Sequence, residues 1–554
     1  MMNRLIVLIL GAAVGLSAHA RRSDTINLRA PLDIPLVLSG NFGELRQAHF
    51  HSGVDFKTQG KTGFPVFAVD DGYVSRVTVG PWGFGRAVYL VHPTTGLTTV
   101  YGHLESFSPE IDKTVRKKQY EQETFSIDVS FNPGEIPVKR GDVIARSGNA
   151  GSSGGPHLHF DVRDTKTEHP LDPLEYYKGK IKDNVAPEVR QLALYPYNGG
   201  VVENSGTAGS YRQPGNEITF TAWGGVVPGI KAYDKMTGTA NIYGVKYLTL
   251  TVDGDTVYRR VIDEYSFDDT RAIHTIINNA DLVDKSSWIM TTRVPVSNPL
   301  GKMIAAKNDG IIDINEERDY KMVWILQDEH GNVARQPFTV KGKRQLTDIP
   351  VAKGQLMLWD ADNVYDDGVY VEMPKGALYE NEFVNVTRSP SANYLSEIYS
   401  VGSPSVPLAK SYELTIPLTE DTLQNKKQYV IVRINGNNKS AETTTYSDGL
   451  VSAKPSRFGK FAVTTDKTAP VIKPLEKEKW RTTKKVKFKI SDNLSGIEDW
   501  RGEIDGKWAL FEFDGKTGTL WFLIDSERFP GTSHKVDLTV TDAAGNKSTY
   551  SGDF

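Results

Sequence analysis

The chain has no cysteine among its 554 residues. That absence excludes a disulfide-stapled scaffold, a cysteine-rich zinc ribbon or finger, and a lipid anchor on a cleavage-site cysteine. A chain this long can rest on apolar cores instead, and at about 150 residues per domain it suggests three or four domains. Beyond residue 20 no stretch approaches the roughly 18 uninterrupted apolar residues of a membrane span, so no integral span is expected. Charge excess is lacking too. The formal net charge is −3 and no Lys/Arg stripe with interleaved aromatics occurs, so nucleic acid is not an expected partner. Long amphipathic helical periods are scarce.

What is present points to β structure. Short alternating runs rich in Val, Thr, Tyr and Phe recur between Gly, Asn-Gly and Asp-Gly turns, so a mostly β fold class is expected. Candidate hairpin turns are Asp253-Gly254, Asn435-Gly436, Asp505-Gly506 and Asp514-Gly515. Residues 1–20 read as a secretory signal: Arg4, an apolar run from Leu5 to Leu16, then the small-x-small site Ala18-His19-Ala20. The expected division is a first domain over 21–180, then β modules over 181–345, 346–465 and 466–554. Two phrases, Asp183-Asn184-Val185-Ala186-Pro187 and Asp466-Lys467-Thr468-Ala469-Pro470, open the second and fourth segments. Asp328-Glu329-His330-Gly331-Asn332 and Asp542-Ala543-Ala544-Gly545-Asn546 close them, which marks two similar modules. Within the first domain, residues 87–92 and 97–103 read as a hairpin, and the charged run Glu110–Lys118 as the solvated face of a surface helix.

Histidine is the chemically informative residue. His157-Leu158-His159-Phe160 follows the glycine-rich stretch Gly148–Gly155, and on a strand residues i and i+2 share a face. His157 and His159 would then stand side by side, with Leu158 and Phe160 buried behind them. Alone, a His-x-His is as compatible with ordinary strand histidines as with a metal. Upstream lie His51-x-x-x-Asp55 and Tyr101-Gly102-His103-Leu104. Two imidazoles and one carboxylate are a normal set for catalytic zinc, which uses three protein ligands and leaves a fourth position for water. Asp360, Asp362, Asp366 and Asp367 imitate a Ca²⁺ loop but lack the EF-hand glycine and glutamate, so a turn cluster is the better reading. Gly80, Gly83 and Gly85 do not have phosphate-loop spacing.

These three motifs, in this order, resemble the signature of lysostaphin-type (LytM) zinc endopeptidases. Pro65–Val74 and Val138–Gly148 resemble the linking sequence of that family, and the resemblance covers about residues 40–175. It implies an antiparallel-sheet lysostaphin-like peptidase domain, one Zn²⁺ per chain held by His51, Asp55 and His159, and His103 and His157 as catalytic residues. One of that pair would take a proton from the attacking water. The other would stabilise the oxyanion or protonate the leaving amine. The implied activity is hydrolysis of peptide cross-links in bacterial peptidoglycan, with stem peptides or cross-bridges as partners, in the periplasm, at the cell surface or in the medium. The absence of a basic wall-binding tail favours a D-alanyl–diaminopimelyl bond over polyglycine. Two alternatives stand beside it: a non-catalytic relative that binds wall or activates another hydrolase, and a proteinase of glycine-rich proteins. His49 imitates a second His-x-His with His51 and is expected at the rim. His92 and His169 are expected to be structural, and Arg46 to meet a substrate carboxylate. The β modules resemble immunoglobulin-like or fibronectin-like sandwiches and are expected to lack chemistry of their own.

Overall fold

The computed structural model describes residues 26–347 and 351–554, so the expected signal, residues 1–20, lies outside the described residues. Strand accounts for 44% of the chain and helix for 9%, as the composition predicts. In the first domain the strands are β1 Leu38–Gly40, β2 Val54–Lys57, β3 Pro65–Phe67, β4 Gly72–Val79, β5 Arg86–His92, β6 Leu97–Gly102 and β7 Ser106–Phe107. Helix α1, Pro109–Gln122, comes next, then β8 Ile127–Ser130, β9 Pro137–Val138, β10 Val143–Arg146, β11 His157–Asp164 and β12 Pro170–Leu171.

The main sheet runs β1-β2-β11-β6-β5-β4-β8, with β12 beside β11 and β9 beside β4; β3-β10-β7 form a second, smaller sheet. Every pair in both sheets is antiparallel. Alternation fixes the orientation of β11: Leu158, Phe160 and Val162 are fully buried on its core face. The predicted hairpin is β5–β6, with Gly96 in the left-handed region at φ 64° in its turn. Helix α1 starts with Pro109 at its first turn, buries Ile111 and Val115, and stops at Glu123 in the left-handed region at φ 47°. Glu110, Lys113 and Lys117 do face solvent. The far end of α1 also meets the last module. Tyr120 packs edge-on against Trp508 at 5.1 Å, Arg528 lies 3.7 Å over the Tyr120 ring, and Glu123 pairs with Arg501 at 2.7 Å.

The strands of 188–342 join in one eleven-stranded arrangement around the long strand Thr219–Tyr233. That strand pairs antiparallel with Glu188–Pro196 and parallel with Val333–Gly342. Residues 363–465 contain two five-stranded sheets and 471–553 two four-stranded sheets. Asp253-Gly254 and Asp505-Gly506 close two-residue hairpins with all four residues at positive φ. The other two expected turns differ: the loop after Asn435 is Gly436-Asn437, and Asp514 pairs with Thr519 across a four-residue loop. The closing phrases are built alike. Asn332 Nδ2 donates to Asp328 Oδ2 and to the Asp183 carbonyl, and Asn546 Nδ2 donates to Asp542 Oδ2 and to the Asp466 carbonyl. The closure is shared between the two modules; the sheet plan is not.

The modules are not strung out from the first domain. One apolar core contains Leu158 and Phe160 together with Trp480, Phe488 and Leu538 of the last module. A second contains Phe42 and Phe50 together with Tyr258, Ile262 and Trp324. A buried ion cluster ties the same pieces: Lys246 Nζ reaches Asp172 at 2.9 Å, Glu175 at 2.8 Å, and Glu329. Burial would raise the Glu175 carboxyl, but Lys246 leads the neighbours that hold it down, to about 2. Its contribution is therefore present at neutral pH and lost only in strong acid. Burial and Asp172 push Glu329 up to about 8, so Lys246→Met leaves Asp172 and Glu175 without their cation beside a largely protonated Glu329, and we expect a loss of about 3–5 kcal/mol in urea unfolding at pH 7. The deficit should shrink as the pH is lowered and those carboxylates take up protons.

Candidate metal centre

The pairing of β2 with β11 sets the site. His159 lies directly opposite Asp55 in that register, and on its other side opposite Gly102 of β6. His159 Nδ1 stands 3.0 Å from Asp55 Oδ1. His51 arrives on the loop before β2, which is closed by Gly43 N–H to the His51 carbonyl and His51 N–H to the Glu44 carbonyl, at 2.9 and 3.0 Å. Its Nδ1 donates to the Asn41 carbonyl at 2.7 Å, which leaves Nε2 as the bare nitrogen. That nitrogen lies 3.1 Å from Asp55 Oδ1 and 3.1 Å from His159 Nδ1.

The three atoms form a near-equilateral triangle. Tetrahedral zinc with bonds of ~2.0–2.1 Å holds its ligands ~3.4 Å apart, slightly wider than this triangle. Two imidazole nitrogens and a carboxylate oxygen, all buried, are also the right chemistry for it. These residues fit a zinc-type ion. Burial would raise Asp55, yet His51, His157 and His159 hold it well below the usual carboxylate range. Burial would lower His159, yet Asp161 and Asp55 lift it to about 9.

His103 and His157 complete the group. His103 follows Gly102 with φ at 59°, and a side chain at Gly102 would crowd Phe84 and the His159 Cβ at 3.1 and 3.3 Å. His103 Nδ1 donates to the Ala150 carbonyl at 2.8 Å, and His157 Nδ1 to the Gly155 carbonyl at 2.8 Å. Both rings therefore offer Nε2 to the site, and their centroids are 4.7 Å apart. His157 Nε2 is buried without a hydrogen-bond partner, 3.4 Å from Asp55 Oδ1. Burial, with His159 and His157 nearby, pushes His103 down to about 3.

The structure brings His51, Asp55, His103, His157 and His159 into one cluster. His49 is outside it, exposed on the loop. His92 is buried between the Asp71 carbonyl and the Thr99 hydroxyl, and His169 contacts Glu264 at 2.9 Å across to the next module. Arg46 does not point to an open substrate position: its guanidinium bonds Asp55 Oδ2 at 2.7 Å. Sequence reasoning missed Asp161. Its Oδ1 sits 2.5 Å from His159 Nε2 and accepts from Ser52, while Oδ2 accepts two bonds from Arg163. The signal was available, because Asp161 is the next residue on the His157–His159 face of the strand.

Comparison with known proteins matches part of this domain. The family model described as Peptidase family M23 matches residues 49–120, and a Zu5-like domain model matches 354–466. An "Uncharacterized metalloprotease" of Haemophilus influenzae is 36% identical over 111 residues, 20% of this chain and 18% of that protein. The "DD-carboxypeptidase/endopeptidase Mpg" of Neisseria meningitidis serogroup B is 32% identical over 114 residues, 20% of each chain. The chain thus spans about a fifth of the length of these curated relatives. Among solved structures, the catalytic domain of lysostaphin from Staphylococcus simulans is 21% identical, covering 29% of this chain and 97% of that one at TM-score 0.19. A zinc-containing peptidase from Vibrio cholerae is 27% identical, covering 26% and 39% at TM-score 0.19. The first domain carries a peptidase family M23 segment.

Asp161→Asn keeps the shape but removes the charge that orients His159. We expect zinc affinity to fall about 10–100-fold in chelator competition, with the fold intact by circular dichroism.

Proposed function

We propose that this protein is an exported zinc metalloendopeptidase that hydrolyses peptide cross-links of bacterial peptidoglycan at D-alanyl–diaminopimelyl bonds. The observation that carries the reading is the convergence of His51 Nε2, Asp55 Oδ1 and His159 Nδ1 within 3.1 Å of one another beside two imidazoles that are not part of the triangle. The M23 match, and relatives whose names include a metalloprotease and a DD-carboxypeptidase/endopeptidase, support the reaction and substrate class. The leader-like residues 1–20 support export.

Bound zinc would supply Lewis acidity, polarising the scissile carbonyl and acidifying a water. The rest is done by the chain's own groups. His103 and His157 each keep Nδ1 on a backbone carbonyl, so the proton that moves must move at Nε2. One Nε2 accepts the proton of the attacking water. The other faces the oxyanion or leaving amine. Asp161 holds His159 by its outer nitrogen, and Arg46 holds the second oxygen of Asp55, so neither ligand can swing away. The complete donor set argues against a non-catalytic wall-binding relative.

The last module also touches the site. Lys516 Nζ donates to the carbonyls of Asn149 and Ser153, at 2.5 and 3.0 Å, and so clasps the glycine-rich loop that carries the Ala150 and Gly155 carbonyls. Gly515 lies so close to Trp82 that a Cβ there would come within 2.5 Å of the indole. The modules, expected to lack chemistry of their own, thus contact the loop that frames the site.

The test is mass spectrometry of muropeptides released from purified sacculi, with and without chelator. Wild-type protein should release peptides ending at the cleaved cross-link, chelator should stop it, and His159→Ala and His103→Ala should each lower the rate by at least about 100-fold. Protein that holds no zinc and leaves sacculi intact would refute the proposal. Lys516→Ala should reduce kcat/KM about tenfold at unchanged zinc content, because a loosened loop misplaces His103 and His157 rather than the ligands.

A further inference from the structure

Beneath the loop that carries His51 lies a cavity of about 190 Å³ in the next module, lined by Leu45, Tyr243, Val245, Ile262, Trp288 and Met290. Its wall is mostly apolar, and two charged residues, Glu44 and Arg260, also line it. Arg260 lines it at 1% exposure, and its Nε and Nη1 have no hydrogen-bond partner. Nη2 has only the thioether sulfur of Met290, at 3.0 Å, a weak acceptor. Tyr258 is the titratable neighbour that bears on Arg260, side chain to side chain, but a phenol brings no countercharge to a guanidinium. Glu44 also borders the cavity; its Oε2 is buried without a hydrogen-bond partner and has the Arg46 guanidinium at 3.6 Å as its countercharge, so that carboxylate, unlike Arg260, already faces a cation. A guanidinium cannot shed its charge in a protein, and a buried, unpaired ion costs several kcal/mol. A charge placed this way is expected where something arrives to pair with it.

We infer that this cavity is a binding site for a small monocarboxylate carried on a compact apolar body. The charge argues for one negative charge, since a doubly charged phosphate would leave an uncompensated anion in an apolar wall. The open N–H groups suit a carboxylate by charge-assisted hydrogen bonds. The size argues for a ring or a short chain: an apolar cavity of about 150 Å³ holds benzene, and this one has room for a carboxylate besides. The route in is marked by Ile242, which borders the cavity and is 44% exposed. The roof is the strip Gly43–Leu45. A Cβ on Gly43 would come within 2.4 Å of Ile262 Cγ2, so the loop rests directly on the cavity wall. The occupant would lie one backbone layer from the His51 loop, at a place distinct from the metal centre.

The test is thermal unfolding of the full chain with benzoate and with its neutral counterpart benzyl alcohol, each at about 10 mM. Benzoate should raise the midpoint by about 2–4 °C and benzyl alcohol by much less. Arg260→Met should abolish the benzoate shift while itself unfolding at an equal or higher temperature, because it replaces an unpaired buried charge with an apolar side chain of similar length. Ile242→Trp closes the mouth from the surface without altering the core, and should abolish the shift too. Equal shifts from the two compounds, or no benzoate shift in the wild type, overturn the inference. A benzoate shift retained in Arg260→Met would place the carboxylate elsewhere, the metal centre included, and overturns it equally.

Discussion

The arrangement depends on the register between two short strands. Asp55 and His159 are 104 residues apart, and the ladder between β2 and β11 sets them directly opposite, 3.0 Å apart at the side-chain tips. Side chains alternate across a sheet, so a slip of one residue would send His159 to the core face and bring Leu158 to the site. The slip is resisted by the other face. Leu158, Phe160 and Val162 fill the core with no measurable exposure, so moving the register would bury two histidines and expose three large apolar groups. The hydrophobic side of β11 thus aims its polar side. His157 and Asp161 lie on the same strand face, so one register places a ligand, a second imidazole and a carboxylate together.

A second device fixes which nitrogen of each imidazole is available. His51, His103 and His157 each give Nδ1 to a backbone carbonyl, of Asn41, Ala150 and Gly155 respectively. A carbonyl can only accept, so Nδ1 carries the hydrogen and Nε2 is the nitrogen left to face the site. His159 is held the opposite way. Its Nε2 meets the Asp161 carboxylate and its Nδ1 faces the triangle. The difference follows from position. The three carbonyl-anchored rings are served by loops or strand ends, where carbonyls are free to turn inward. His159 is mid-strand, where the backbone carbonyls are committed to the ladder, so a side chain from two residues on does the work.

These contrasts explain what the sequence made legible. Period-two alternation is local, so His157-Leu158-His159-Phe160 could be read as a strand with a polar and an apolar face. The three motifs could be ranked as one site because a resemblance supplied the pairing that distance along the chain conceals. Asp161 was equally local and was passed over because attention stopped at ligand types rather than their partners. Arg46 could not be placed: nothing in Phe42–Arg46 reveals that its guanidinium meets Asp55 Oδ2 rather than open solvent. The likeness of the phrases at Asp183 and Asp328 to those at Asp466 and Asp542 was legible, and the same Asn-to-carbonyl stitch joins the members of each pair. Their sheet plans were not, because a parallel pair and an antiparallel pair draw on the same Val, Thr and Tyr.

Least visible in the chain was the dependence of the site on the modules. Loops that carry function usually come from the less stable parts of a fold. Here each of the two loops that frame the triangle is held from outside the first domain. Phe42 and Phe50 of the His51 loop pack on Tyr265, with ring centroids at 5.5 and 5.2 Å, and Phe50 N–H donates to Thr270. The glycine-rich loop is clasped by Lys516. Without these contacts, eight residues rich in glycine would have to be ordered when a substrate arrived, at a cost drawn from binding. With them, that ordering is settled during folding, while Gly154 and Gly155 still leave the substrate side of the loop free of side chains. A flexible composition and a fixed conformation are therefore compatible here: glycine clears the path, and the rigidity comes from a lysine more than 360 residues away.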